Sequence, residues 1–135
     1  MSDLIQTVKA MYAAFVRGDL DGIMAHVAGD VLWEAEGPAD LGFTGIRHGK
    51  QETLGFFEGI AREHAEPKLD MKDFLASADS VSVFGRYEFT LRRTGRHVDT
   101  PIGHLFQFRG GKVVRFVNLV NTADYLQTSI TSAAG

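Results

Sequence analysis

Val81-Ser82-Val83-Phe84-Gly85-Arg86-Tyr87-Glu88-Phe89-Thr90-Leu91 places a small or apolar residue at every odd position and, Phe84 excepted, a polar one at every even position. A period of two sustained this long predicts a strand with one buried and one wetter face. Thr94-Gly95 follows it, then residues 97 to 109, then Gly110-Gly111, then residues 112 to 121. Both glycine dipeptides are hairpin signals, so three long strands meander one after another. Upstream, Leu69 and Met71 after Pro67 begin another strand, and Phe74-Leu75 breaks the alternation in the manner of a bulge.

Before Pro67 the period is helical. Leu4, Ile5, Val8, Met11, Tyr12, Phe15 and Val16 fall on one face, between a Ser2 cap and Gly18. Asp19 caps a second, shorter helix carrying Leu20, Ile23, Met24 and Val27 and ending at Gly29. Val31 to Ala35 reads as a short strand, and Gly37, Pro38, Gly42 and Gly45 as a loop. A helix follows from about Lys50 to His64 on the stripe Leu54, Phe57, Ile60, and a close backbone contact would account for Gly55 and Gly59 inside it. Thr122 to Ile130 reads as a short closing helix. Helices on one face of a strongly curved, mainly antiparallel sheet define an α+β domain over residues 1–135, a cone whose hollow is an apolar pocket.

Composition limits the chemistry. The 135 residues are 44% hydrophobic and 23% charged, with net charge −3 and no cysteine. Disulfides and thiolate nucleophiles are therefore excluded, and a chain this size does not need them to bury a core. The acidic balance argues against nucleic acid as a partner. No apolar run approaches a membrane span, and Asp3 and Lys9 interrupt any leader-like stretch, so a cytoplasmic location is the expectation. His26, His48, His64 and His97 lack metal-ligand spacing, so neither metal nor other cofactor is expected. Arg92, Arg93 and Arg96 read as a solvated turn.

Strand phase identifies the inward residues. His104 shares phase with Phe106 and Phe108, and Asn118 with Phe116 and Val120. A histidine among aromatics is either an acid–base or donor group near neutral pH, or a buried histidine bonded to a side chain such as Asn118 or Tyr12. Trp33, in phase with Val31 and Ala35, reads as core wall ahead of substrate platform. Glu34 and Glu36 belong outside by phase. Phe84, Leu105, Val117 and Leu119 form an apolar stripe on the opposite face, which needs cover.

Ordered motifs run along nearly the whole chain. They are Tyr12-Ala13-Ala14-Phe15-Val16-Arg17-Gly18-Asp19-Leu20-Asp21, Trp33-Glu34-Ala35-Glu36-Gly37, Gly45-Ile46-Arg47-His48-Gly49, Thr94-Gly95, His104-Leu105-Phe106-Gln107-Phe108, Gly111-Lys112-Val113-Val114-Arg115-Phe116 and Asn121-Thr122-Ala123. In them the chain resembles the nuclear-transport-factor-2-like (NTF2-like) superfamily, and within it the SnoaL-like and ketosteroid-isomerase-like proteins. The resemblance implies a small hydrophobic, carbonyl-containing ligand, acid–base isomerase or cyclase (lyase) chemistry, and a homodimer through the outer sheet face.

Carried over residue by residue, that resemblance gives broken sets. The oxyanion-donor tyrosine of ketosteroid isomerases falls on Met11, beside Tyr12. Their base falls on Ala35, and their protonated acid on His104. Of the epoxide-hydrolase set, Arg86 and Glu88 lie in the outward phase, and the last-strand acid is Asn118. The acidic position of polyketide cyclases is Asn121. The expected site is therefore His104, Asn118 and Tyr12 as candidate catalytic groups, with Trp33, Ala35, Phe57, Tyr87, Phe89, Phe106, Phe116 and Asn121 around the ligand. The alternatives are a non-catalytic binding pocket, or a dimerisation module whose cavity is filled by Tyr87, Phe89, Leu91, Phe106 and Phe108.

Overall fold

A computed structural model describes residues 2–38, 41–121 and 123–125. Helix α1 (Ser2–Val16) buries Val8, Met11 and Ala14 along one face. It ends where Gly18 takes a left-handed φ of 73°, with Asp19 N bonding Ala14 O and Gly18 N bonding Phe15 O. That double closure needs a residue without a side-chain penalty at positive φ, which glycine supplies. Asp19 then opens α2 (Leu20–Met24) by accepting from Gly22 N at 2.9 Å. One aspartate thus fixes the corner between the first two helices.

The second helix is shorter than its apolar stripe suggests. Val27, expected on it, begins β1 (Val27–Ala35), because Val27 pairs with Val113 and His26 O accepts from Val113 N. A strand β2 (Gly45–His48) occupies the end of the expected loop and pairs antiparallel with β1. It has no buried residue, and Ile46 is 61% exposed, so it carries no hydrophobic period to read. Helix α3 (Gly49–Glu63) follows, with Phe56, Phe57 and Ile60 inward, Phe56 rather than Leu54 completing the stripe. Then come β3 (His64–Ala76), β4 (Ser80–Leu91), β5 (His97–Arg109) and β6 (Lys112–Val120). Residues 123–125 are helical, and the remainder of the expected closing helix lies outside the described residues.

The strands form one mixed sheet in the order β2-β1-β6-β5-β4-β3, with β1 parallel to β6 and every other pair antiparallel. The strong curl expected of the sheet is not found. The physical reason lies in the ladder between β4 and β5, which runs from Ser80 opposite Gln107 to Thr90 opposite His97 without a register shift. Bulges are what bend a sheet sharply, and here they sit in β3, at Ala65/Lys68 and Met71/Asp73, and at the β1–β6 and β5–β6 margins. The helices lie across one face and enclose the hollow. Among the described residues no helix is long and apolar enough to cross a membrane.

The two glycines in the interior of α3, Gly55 and Gly59, differ. A Cβ on Gly59 would collide with the backbone carbonyl of Gly42, so this helix and the preceding loop touch through their main chains. At Gly55 the nearest atom is Arg47 Nε at 3.6 Å, an ordinary contact, so no close approach explains that residue. Alanine is favoured over glycine in a helix by about 1 kcal/mol, whereas forcing atoms into a packed site costs about 1–3 kcal/mol. We therefore expect Gly55→Ala to raise the urea midpoint and Gly59→Ala to lower it. Equal shifts of the same sign would exclude the main-chain contact.

Candidate functional site

The inner face of the sheet, α1 and α3 surround a cavity of about 580 Å³ counted to its open mouth, within which the centre of a water-sized sphere can move through about 60 Å³. A single water needs roughly 10–15 Å³ on the latter measure, so the enclosed part takes several waters or a compact organic molecule. Its wall is aromatic. Trp33 stacks on Phe116 with ring centres 4.0 Å apart across the parallel β1–β6 pair, and Phe56 and Phe57 of α3 meet the indole from the helix side. Among the described residues the lining contains no Asp, Glu, Lys or Arg.

Three polar side chains are joined at one part of this wall. His104 on β5 lies directly opposite Asn118 on β6, and its Nε2 is 2.8 Å from Asn118 Oδ1. Its Nδ1 is 2.8 Å from the hydroxyl of Tyr12, brought down from α1. Burial pushes His104 down to about 4, against a smaller raising effect of the Asn118 bond, so the ring is neutral at pH 7. A neutral imidazole has one N–H. With Asn118 Oδ1 accepting at Nε2, the proton sits there, and Nδ1 accepts from the Tyr12 hydroxyl. Burial also raises the Tyr12 pKa, so its proton stays on oxygen. The Nδ2 amino group of Asn118 has no partner among the described residues and remains to donate.

A second histidine–tyrosine pair lines the same cavity. His64 Nδ1 lies 2.8 Å from the Tyr87 hydroxyl, and the ring stacks on Phe89 at 3.7 Å. Burial pushes His64 down to about 3. The helical period expected up to this residue concealed it, since it opens β3 instead of ending the helix, and strand phase does not recover it. Counting back by twos from Leu69 puts position 64 outward, but Glu66 adopts φ 53° and the register shifts between Ala65 and Lys68, which resets the alternation. The positive φ of a non-glycine residue is visible only in the folded backbone.

Of the residues expected from sequence, Tyr12, Trp33, Phe57, Tyr87, His104, Phe106, Phe116 and Asn118 line the cavity. Three do not. Ala35 is buried opposite Asn118, where it supports β6 from the neighbouring strand. Phe89 lies behind His64 as its stacking partner. Asn121 is exposed and spends its Oδ1 on Ala123 N in a local turn. Phe43, Phe56, His64 and Tyr125 also reach the cavity, though none was expected there. Leu91 and Phe108 are core residues that do not enter the lining, so the set proposed to fill the hollow is not assembled in it. Glu34 is ion-paired with Arg115 at 2.6 Å and Glu36 is exposed, both away from the cavity, while Arg86 pairs with Asp99 at 2.8 Å on the outer face. The Trp33 Nε1 donor is buried without a partner. Among the described residues no cluster of three or more His, Asp or Glu side chains is placed to hold a metal.

A family model for the SnoaL-like domain matches residues 8–116, and the chain belongs to that family. Among solved structures, an NTF2-like protein of unknown function from Burkholderia pseudomallei is 32% identical over 95% of this chain and 98% of its own, with a TM-score of 0.88. TerC, co-crystallised with polyporic acid, is 26% identical over 93% and 97%, with a TM-score of 0.84. An NTF2-like protein from Burkholderia thailandensis is 26% identical over 93% and 96%, also at 0.84. No protein of curated function matches the chain.

The buried histidines make stability depend on pH. Unfolded histidine titrates near ~6.5, so between there and the lower folded values the unfolded chain binds protons the folded chain refuses. Their contribution is complete above pH ~6.5 and is lost as pH falls towards about 4 for His104 and about 3 for His64. At pH 5 each imidazole destabilises the fold by about 2 kcal/mol relative to neutral pH. Urea melts at pH 7.5 and pH 5 should show the loss, and the double variant His64→Phe with Tyr87→Phe should show less of it by about 2 kcal/mol. An unchanged loss would mean that His64 is not held neutral.

Proposed function

We propose that this SnoaL-like chain binds a small, mostly apolar carbonyl compound in its cavity and moves a proton at the carbon beside that carbonyl, as an isomerase or cyclase does. The observation that carries this reading is the hydrogen-bonded chain Tyr12–His104–Asn118 in the wall of an otherwise aromatic cavity. The ligand oxygen accepts from Asn118 Nδ2. As the C–H bond breaks, its proton passes to the Tyr12 oxygen while the Tyr12 proton passes to His104 Nδ1. The electron pair moves onto the carbonyl oxygen, where Asn118 Nδ2 stabilises the enolate. Asn118 Oδ1 meanwhile faces the imidazolium N–H. Reversal at a second carbon completes an isomerisation, and attack of the enolate carbon on a second carbonyl, with the proton held on His104 returned through Tyr12 to the alkoxide so formed, completes a cyclisation. Trp33 and Phe106 exclude water from the reacting atoms.

A second reading is a pocket that binds without turnover. Its support is the lining itself, which offers no carboxylate as base, and a histidine held near 4 is a weak proton acceptor. Co-crystallisation of TerC with polyporic acid supports a small organic ligand for this chain and is neutral between the two readings.

The outer face supports a homodimer. Phe84 and Leu119, 48% and 52% exposed, flank Gly103 in one row across β4, β5 and β6, and the Phe84 ring lies over that glycine. A flat apolar row of this kind suits a two-fold partner. Sedimentation should give a dimer at micromolar concentration, and Phe84→Glu a monomer with an unchanged melting curve at low concentration. A wild-type monomer would remove the proposal.

Native mass spectrometry of the purified chain should reveal a co-purifying neutral carbonyl compound. In His104→Ala, Tyr12 and Asn118 each lose a partner, so stability falls by about 1–3 kcal/mol on either reading, and only affinity and exchange discriminate. We expect affinity per folded molecule to drop at least tenfold, and deuterium uptake at the carbon beside the carbonyl to proceed with wild type and stop with the variant. Uptake absent from wild type, with binding intact, would establish the non-catalytic pocket. Affinity unchanged in the variant would make the relay purely structural.

A further inference from the structure

We propose that the cavity has a second polar pole, the Nε2–H of His64, and that its ligand is an uncharged molecule bearing two oxygen acceptors, one for each pole. This rests on the carbonyl site at Asn118 and extends it. The Tyr87 hydroxyl is buried, and its one hydrogen-bond partner among the described residues is His64 Nδ1. A buried hydroxyl hydrogen has to be accepted somewhere, so Tyr87 donates to Nδ1 and the single proton of the neutral ring sits on Nε2. That nitrogen has no partner within the described residues, yet it is not sealed in the way Trp33 Nε1 is sealed, and its residue lines the cavity.

The two histidines thus carry the same tautomer for the same reason, a tyrosine donating to Nδ1, and differ in what lies beyond Nε2. At His104 it is Asn118 Oδ1. At His64 it is the cavity. The poles are also separate in the wall. His64 packs with Phe43, Phe89 and Tyr125, whereas His104 packs with Tyr12, Phe106 and Phe116. Both present donors, so each asks for an acceptor on the ligand. Among the described residues the lining has no cationic side chain to balance a carboxylate or phosphate and no carboxylate to balance an amine, and an unpaired charge is expelled from such surroundings. What fits is a neutral diketone, quinone or keto-ether on a compact apolar frame.

The test uses matched probes, a series of cyclic diketones of increasing oxygen separation beginning with cyclohexane-1,4-dione, each beside the monoketone of the same ring. Affinities are measured by ligand-observed NMR with wild type, with Asn118→Leu, and with His64→Phe/Tyr87→Phe, which removes the pair together and leaves no orphaned partner. One neutral hydrogen bond corresponds to about three- to tenfold in affinity. We expect at least one diketone to bind wild type that much more tightly than its monoketone, and the His64/Tyr87 variant to erase this advantage, binding each diketone no more tightly than the monoketone of the same ring. No diketone exceeding its monoketone overturns the second pole, as does an advantage that survives in the His64/Tyr87 variant. If monoketone affinity is insensitive to Asn118→Leu, it is the carbonyl site at Asn118 that fails, and the diketone advantage still reports on His64 alone. Should the double variant lose its fold, the 15N shifts of the His64 ring in wild type decide. A protonated Nε2 that moves on diketone addition supports the pole, and a protonated Nδ1 overturns it.

Discussion

A buried neutral imidazole has two nitrogens and one proton, and satisfying both at His104 ties together three elements that the chain makes far apart. Asn118 is its direct cross-strand partner, so the register of β5 on β6 is the register that makes this bond. A slip of one residue would turn His104 to the outer face, the side of the sheet on which Phe84 and Leu119 are exposed. Tyr12 reaches Nδ1 from the first helix, which fixes the rotation of α1 over the sheet as firmly as its apolar stripe does. The aromatic wall then packs around a triad whose positions are already set, with Phe116 and Phe106 on one side and Phe74 against Tyr12 on the other.

The sequence made the long elements legible because each obeys one period over many residues. The alternation from Val81 to Leu91 and the paired glycines at 110 and 111, both at positive φ, correspond directly to β4 and the β5–β6 turn. Local pairing competition is what hid the rest. Val27 fits a helical stripe and a strand equally well, and the decision comes from Val113, a residue distant in sequence. Strand β2 exists because β1 offers it an edge, without burying anything of its own. In the site, phase found His104, Asn118 and Trp33 because β1, β5 and β6 are regular where those residues sit. It missed His64 because the helical period was read up to that residue, and the bulge at Glu66 separates it from the alternation that begins at Leu69. Asn121 and Ala35 were named by position in a family pattern, and position alone does not say whether a side chain turns inward or is consumed by a local turn.

The departures from the ketosteroid-isomerase pattern form a consistent set. The tyrosine position is occupied by Met11, and the hydroxyl comes from the adjacent Tyr12, since both residues line the cavity. The protonated-acid position holds His104, whose Nε2–H is directed to Asn118 rather than to the hollow. The base position holds Ala35. Among the described residues every ionisable group in the wall is a tyrosine kept protonated or a histidine kept neutral by burial. Such a wall can donate, accept and pass protons, but it presents no net charge at neutral pH. The proposed chemistry, on neutral ligands whose charge appears only transiently, is consistent with such a wall.

Stability alone does not explain why such groups are retained. A polar pair buried with its bonds made contributes about 0.5–1.5 kcal/mol per hydrogen bond, and apolar residues of the same shape can do as well. The surroundings of His104 and His64 are already rings that could close over a phenylalanine. The Trp33 Nε1 donor shows that this core tolerates an unsatisfied polar atom outright, at a cost of about 1–3 kcal/mol. Set against that tolerance, two histidines each braced by a tyrosine, on different strands and both in the wall of one cavity, are better understood as groups whose tautomer is being controlled. A donor whose proton is fixed on a known nitrogen is organised for its ligand before the ligand arrives, which removes the reorganisation that binding would otherwise have to overcome.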